Sequence, residues 1–168
     1  MEVEKMSKKT FGITGIDSDY FKDAIIGAVV AIAFIAISFI LPSLVSIGIP
    51  YFPASITSTT ALILIVIIAA PIFETFFFQE FMLDFFDNKL GLKGKTLPFL
   101  IAAILSSEAF ALFHFSVYGE NLSAVGGSFI SAFVVGLGLC YLKKGTKSVL
   151  PLIISHLLLN SWILFTKF

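Results

Sequence analysis

Residues 24–41 read AIIGAVVAIAFIAISFIL, eighteen positions with no charge and a single serine, followed by Pro42. At about 1.5 Å of rise per residue such a helix covers most of the ~30 Å hydrocarbon core of a bilayer, and proline is a natural stop. A cleaved leader would have a shorter apolar core and a small-residue cleavage site, which LPSLV at 41–45 does not supply. The whole chain shares this character. Of its 168 residues 58% are hydrophobic and 13% charged, with 20 Phe and a mean hydropathy of +1.02, against roughly 45–50% apolar and ~25% charged in soluble domains. This is the composition of a membrane protein, with room for about five spans and no large soluble domain.

Further apolar runs give span two from 56 to about 86 with Pro71 able to kink it, span three from about 97 to 115 with Pro98 in its first turn, span four from about 121 to 142, and span five from about 148 to 166. Continuous apolar runs exclude a β-barrel, whose strands alternate. The expected fold is an all-α membrane bundle of about five helices: an N-terminal arm, 1–22, and one helical domain, 23–168. Lysine placement tests this division, because short cytoplasmic loops collect Lys. Lys5, Lys8, Lys9 and Lys22 precede span one, Lys89, Lys93 and Lys95 follow span two, and Lys143, Lys144 and Lys147 follow span four. The segments 42–55 and 116–120 carry none, and the tail has only Lys167. The alternation puts the N-terminus in the cytoplasm and the C-terminus outside. Residues 80–86 read as an amphipathic helix end at the cytoplasmic interface, and Tyr51, Tyr118, Tyr141 and Trp162 as an aromatic belt.

All eleven basic residues are Lys and none is Arg. Balanced by eleven acids and without the guanidinium fork, they make no field for nucleic acid. A lone Cys140 excludes an internal disulfide and a thiolate zinc cluster. What carries information is the polar minority inside the spans, since an ionisable group in hydrocarbon costs roughly 2.5–3.5 kcal/mol on insertion scales and should face the bundle interior. Span two holds Glu74, span three Glu108 and His114, and span five His156 with Asn160 one turn on. Counted from the cytoplasmic ends, Glu74, His114, His156 and Asn160 lie at roughly 12–24 Å depth, a spread helix tilt absorbs. A lone buried His or Asn is usually interhelical glue; four groups from three helices at matching depth make a site.

Two chemistries fit. In one, Glu74 is a general base that with His114 activates a water for attack on an amide, while His156 and Asn160 donate to the developing oxyanion. In the other, Glu74, His114 and His156 form a His₂Glu zinc site with water in the open position. The second lacks a separate base. A Ser–His pair is also available from Ser107, Ser116, Ser155 or Ser161, though none sits in a Gly-x-Ser-x-Gly elbow.

These residues resemble the CPBP group of intramembrane proteases, which includes the type II CAAX prenyl endopeptidases and the Abi bacteriocin-immunity proteins. The family's Glu-Glu-x-x-x-Arg motif corresponds to Glu74-Thr75-Phe76-Phe77-Phe78-Gln79, its Phe-x-x-x-His to Phe110–His114, and its His-x-x-x-Asn to His156–Asn160, over a region of about 64–163. The resemblance implies that Glu74 and His114 activate the water and that His156 and Asn160 hold the oxyanion. No cofactor is then required, although zinc stays open. It also implies a membrane-bound hydrolase acting on a lipidated or membrane-associated peptide, prenylated in some members. The alternative on the same fold is a non-catalytic immunity or partner-binding protein; a small transporter using Glu74 and Glu108 is a more distant one. The sequence departs from the family at Thr75, Gln79 and Glu80, and carries an extra acid at Glu108. Thr75 and Gln79, at i and i+4, are expected to replace a charged pair by a neutral hydrogen-bonded one. They are grouped with Phe110 and Glu108 as supporting residues of a multi-pass protein of the cell membrane.

Overall fold

The computed structural model describes residues 18–40, 59–89, 96–117 and 122–167. The lysines of the N-terminal arm before Lys22, the segment 42–55, the loop lysines Lys93 and Lys95, and the belt residues Tyr51 and Tyr118 lie outside them. Five helical rods follow one another: α1 (Ser18–Ile40), α2 (59–89), α3 (Thr96–Val117), α4 (Leu122–Thr146) and α5 (Leu150–Lys167). No strand occurs among the described residues. α1 begins at Ser18, so residues 18–22, assigned by sequence to the arm, are already helical.

Four of the rods are long and apolar enough to cross a membrane; the fifth, Leu150–Thr166, is apolar but shorter. Its length is set by its start. The turn before it is fixed by Lys147 at φ 56°, whose N–H donates to the Lys143 carbonyl at 2.8 Å, and by the Ser148 hydroxyl, which accepts the Leu150 N–H at 3.4 Å. A left-handed residue closing one helix and a hydroxyl capping the next leave no slack between α4 and α5.

α3 packs most extensively on α4, and α1 on α5. With no hydrophobic drive between helices in lipid, close approach needs small residues. At Gly27 a Cβ would stand 2.5 Å from the Pro151 carbonyl oxygen, and at Gly138 one would overlap the Phe34 ring. Three apolar cores result. Ala31, Val135, Leu139, Leu152 and Leu159 join α1, α4 and α5. Leu83, Phe99, Ala102, Ala103 and Cys140 join α2, α3 and α4 at one end, and Phe78, Phe110, Ala111 and Ala132 join the same three higher up. The Ser106 hydroxyl donates across to the Phe78 carbonyl at 2.6 Å.

One end of the bundle holds Lys143 and Lys144. Lys143 pairs with Glu80, tying α4 to the end of α2, and Lys144 lies 4.1 Å over the Phe99 ring at the start of α3. Trp162 packs against Phe39 and Tyr141 against Phe99, each near an end of its helix. The expected amphipathic end of α2 buries Leu83 and exposes Phe81, Asp84 and Phe85. Phe73, Phe77, Phe81 and Phe85 form a ladder of stacked, exposed rings, centroids 5.7, 6.0 and 6.4 Å apart, on the outer surface of α2.

α2 is not a uniform α-helix. Thr59–Ile63, Ala70–Glu74 and Leu83–Lys89 are α, while Leu64–Ala69 and Thr75–Met82 are π. π turns are uncommon and concentrate at functional sites. Glu74 is the last residue of the α stretch between them.

Candidate active site

Glu74, His114 and His156 come from α2, α3 and α5 and meet at one atom. Glu74 Oε2 lies 3.3 Å from His156 Nε2 and 3.8 Å from His114 Nε2, with side-chain exposures of 8%, 3% and 15% in the order Glu74, His156, His114. The same oxygen is buried and makes no aligned hydrogen bond among the described residues. A buried acceptor beside two ring nitrogens, yet closed by neither, can receive a donor from a third molecule.

The far nitrogens of both rings are tied. His114 Nδ1 stands 3.0 Å from the Phe110 carbonyl, one turn back on α3. A carbonyl only accepts, so the ring hydrogen is on Nδ1, and Nε2 of the neutral ring carries a lone pair. His156 Nδ1 faces the Thr75 hydroxyl at 3.2 Å. A hydroxyl can serve either way, and the neighbouring carboxylate decides: a hydrogen on Nε2 is attracted to the Glu74 oxygen 3.3 Å away, whereas a lone pair there would oppose it. Thr75 therefore donates to Nδ1, and His156 presents Nε2–H. The imidazoles are thus in opposite tautomers, an acceptor on one side of Glu74 and a donor on the other. The Phe110 ring packs against both, with centroids 4.4 Å from His114 and 5.7 Å from His156, and is itself 1% exposed.

The other sequence candidates fall differently. The Asn160 amide is partly buried and donates through Nδ2 to the Val66 carbonyl of α2 at 3.0 Å, so one of its hydrogens is already engaged. Thr75 and Gln79 do not share a hydrogen bond, contrary to expectation. Thr75 is given to His156, and both polar atoms of the fully buried Gln79 find no hydrogen-bond partner among the described residues. The reason is local geometry: both lie in the Thr75–Met82 π stretch, where the i, i+4 alignment of an α-helix no longer holds. Glu108 is exposed on the outside of α3 and takes no place beside Glu74. Among the serines, Ser107 and Ser161 donate to carbonyls four residues back, at 2.6 and 2.8 Å. Thr75 carries the hydroxyl that the sequence reading did not assign to a histidine.

Glu74 and the two Nε2 atoms are the groups that would hold a zinc ion in a His₂Glu site, and among the described residues no group of three or more His, Cys, Asp or Glu stands ready-spaced for an ion. Both Nε2 atoms address one carboxylate oxygen.

Four spans and a fifth apolar helix around a buried Glu/His cluster define a multi-pass integral membrane protein with a polar centre inside the bundle. Residues 56–162 match the family model of type II CAAX prenyl endopeptidase Rce1-like proteins. That is more than half of the chain, and the chain belongs to this family of proteases, as the three motifs on α2, α3 and α5 indicated. No curated protein and no solved structure matches it.

Proposed function

We propose that the protein is an intramembrane endopeptidase of the cell membrane, hydrolysing a peptide bond in a lipidated, prenylated or membrane-associated substrate. The observation that carries this reading is Glu74 Oε2: buried, without an aligned hydrogen bond, and flanked by one imidazole nitrogen that accepts and one that donates. A water placed there gives one hydrogen to Glu74 and the other to the His114 Nε2 lone pair, which aims its own lone pair at a carbonyl carbon. As the water adds, its proton passes to Glu74 and the carbonyl oxygen becomes an oxyanion. The His156 Nε2–H is the donor that meets it. Glu74 then returns the proton to the leaving amine. The steps balance with water as the sole co-reactant. Family membership supports the reaction class, and the apolar surroundings of the cluster suit a substrate that arrives from the bilayer.

The test is turnover by purified protein on prenylated and single-span peptides. Glu74→Gln removes the base while keeping the shape, so hydrolysis is expected to vanish with Tm held or raised, since a neutral amide in the bilayer is cheaper than a carboxylate. Glu108→Gln, on the outer surface, is expected to leave turnover within about twofold, as surface changes away from the chemistry usually do. Hydrolysis that survives Glu74→Gln refutes the assignment and leaves the non-catalytic partner-binding reading.

A further inference from the structure

Two features without a role so far are the bond from Asn160 to α2 and the π stretch that precedes Pro71. At the end of Leu64–Ala69 the Ala70 N–H donates to the Ile65 carbonyl, five residues back. The next bond of that series would run from the N–H of residue 71 to the Val66 carbonyl. Residue 71 is proline and has no N–H. The Val66 carbonyl is the acceptor that Pro71 strands, and it is the atom that the Asn160 amide reaches at 3.0 Å.

We infer that Asn160 is a positioning residue: it supplies the hydrogen bond that Pro71 withholds, and so fixes the register of α2 that aims Glu74. His156 lies one turn before Asn160 on α5 and, through Nδ1, meets Thr75 at 3.2 Å. α5 thus grips α2 at two points, Val66 above and Thr75 below, and Pro71 and Glu74 lie between them. A π turn is less stable than an α turn and is easily lost when a neighbouring bond is free to shift. With the Val66 carbonyl unmet, α2 can re-register toward α geometry, which turns Glu74 about the helix axis and away from two rings held by other helices. Pro71 prevents the helix from meeting that carbonyl itself, so the requirement for Asn160 is created by the proline.

The inference goes beyond the proposed reaction and is tested without it. Asn160→Ala, Pro71→Ala and the double variant are compared with the parent by thermal unfolding in detergent. Asn160→Ala leaves a partly buried carbonyl without its donor and is expected to lower Tm by about 2–4 °C. In the Pro71→Ala background residue 71 regains its N–H, and the same change is expected to lower Tm by less than half as much. Asn160→Leu, close in shape but without a donor, should behave alike and serves if the Ala variant does not fold. On the peptide substrates, Asn160→Ala should depress kcat with little change in KM, and Pro71→Ala should restore part of the loss, which a residue that only donates to the oxyanion would not permit. Equal falls in Tm, or equal failure to fold, in both backgrounds would overturn the inference. Coupled stabilities with no hydrolysis in any variant would uphold it and remove the peptidase reading instead.

Discussion

At the scale of single residues, the centre depends on how each ring nitrogen is occupied, and Thr75 shows this most sharply. Its hydroxyl holds Nδ1 of His156, the ring whose Nε2 faces Glu74. Thr75→Val keeps the β-branched shape and removes the hydroxyl, leaving Nδ1 of a buried ring without a partner. The His156 ring then loses the bond that holds it, and turnover is expected to fall by at least about tenfold, up to the ~10²–10³ of losing an oxyanion donor outright. Thr75→Ser should keep most of it. Equal turnover in the Val and Ser variants would show that the ring is held without the Thr75 hydroxyl. Glu74, His114 and His156 were legible in the sequence because ionisable groups are rare in apolar helices and these three lay at one depth. Thr75 and Asn160 were assigned to other partners. A pattern of residue types records which side chains are polar, but it does not reveal a hydrogen bond to a backbone carbonyl such as that of Val66, nor which of two neighbours a hydroxyl will choose.

At the scale of the elements, the five helices were readable to within about six residues, since length and lack of charge determine a span whatever its internal register. The π stretches of α2 were not. In a helix that is apolar nearly all round, no periodic stripe marks where the turns widen, and Pro71 suggested only a kink. The small residues between helices make a sharper prediction. A Cβ at Gly27 would lie 2.5 Å from the backbone oxygen of Pro151, which cannot swing away as a side chain can, whereas one at Gly145 meets nothing within 4 Å. Gly27→Ala is therefore expected to destabilise by about 1–3 kcal/mol, in the range of overpacking. Gly145→Ala should stabilise by up to ~1 kcal/mol through helix propensity alone. Unfolding of the two variants in detergent checks the contrast, and a stable Gly27→Ala would mean that α1 does not approach α5 closely at Pro151.

At the scale of the whole molecule, the ion pair of Lys143 with Glu80 and the seating of Lys144 on Phe99 place the end of α2, the start of α3 and the end of α4 on one side of the bundle. From the lysine alternation that side is expected to face the cytoplasm. Cysteines introduced at 143–147 in a protein lacking Cys140 should be labelled only from within the cell, and those at 116–120 only from outside; labelling of both from one side would break the up-and-down arrangement. The groups assigned to the chemistry all stand on α2, α3 and α5. α1 meets α5 along the Gly27 and Ala31 face and leaves most of its surface to lipid. In a bilayer each helix is stable before it docks, so this contact is an association between two preformed parts. A chain severed in the 42–55 segment, its two fragments made together, should reassemble without a covalent link between them, and the larger fragment alone should hold Glu74 between its two histidines.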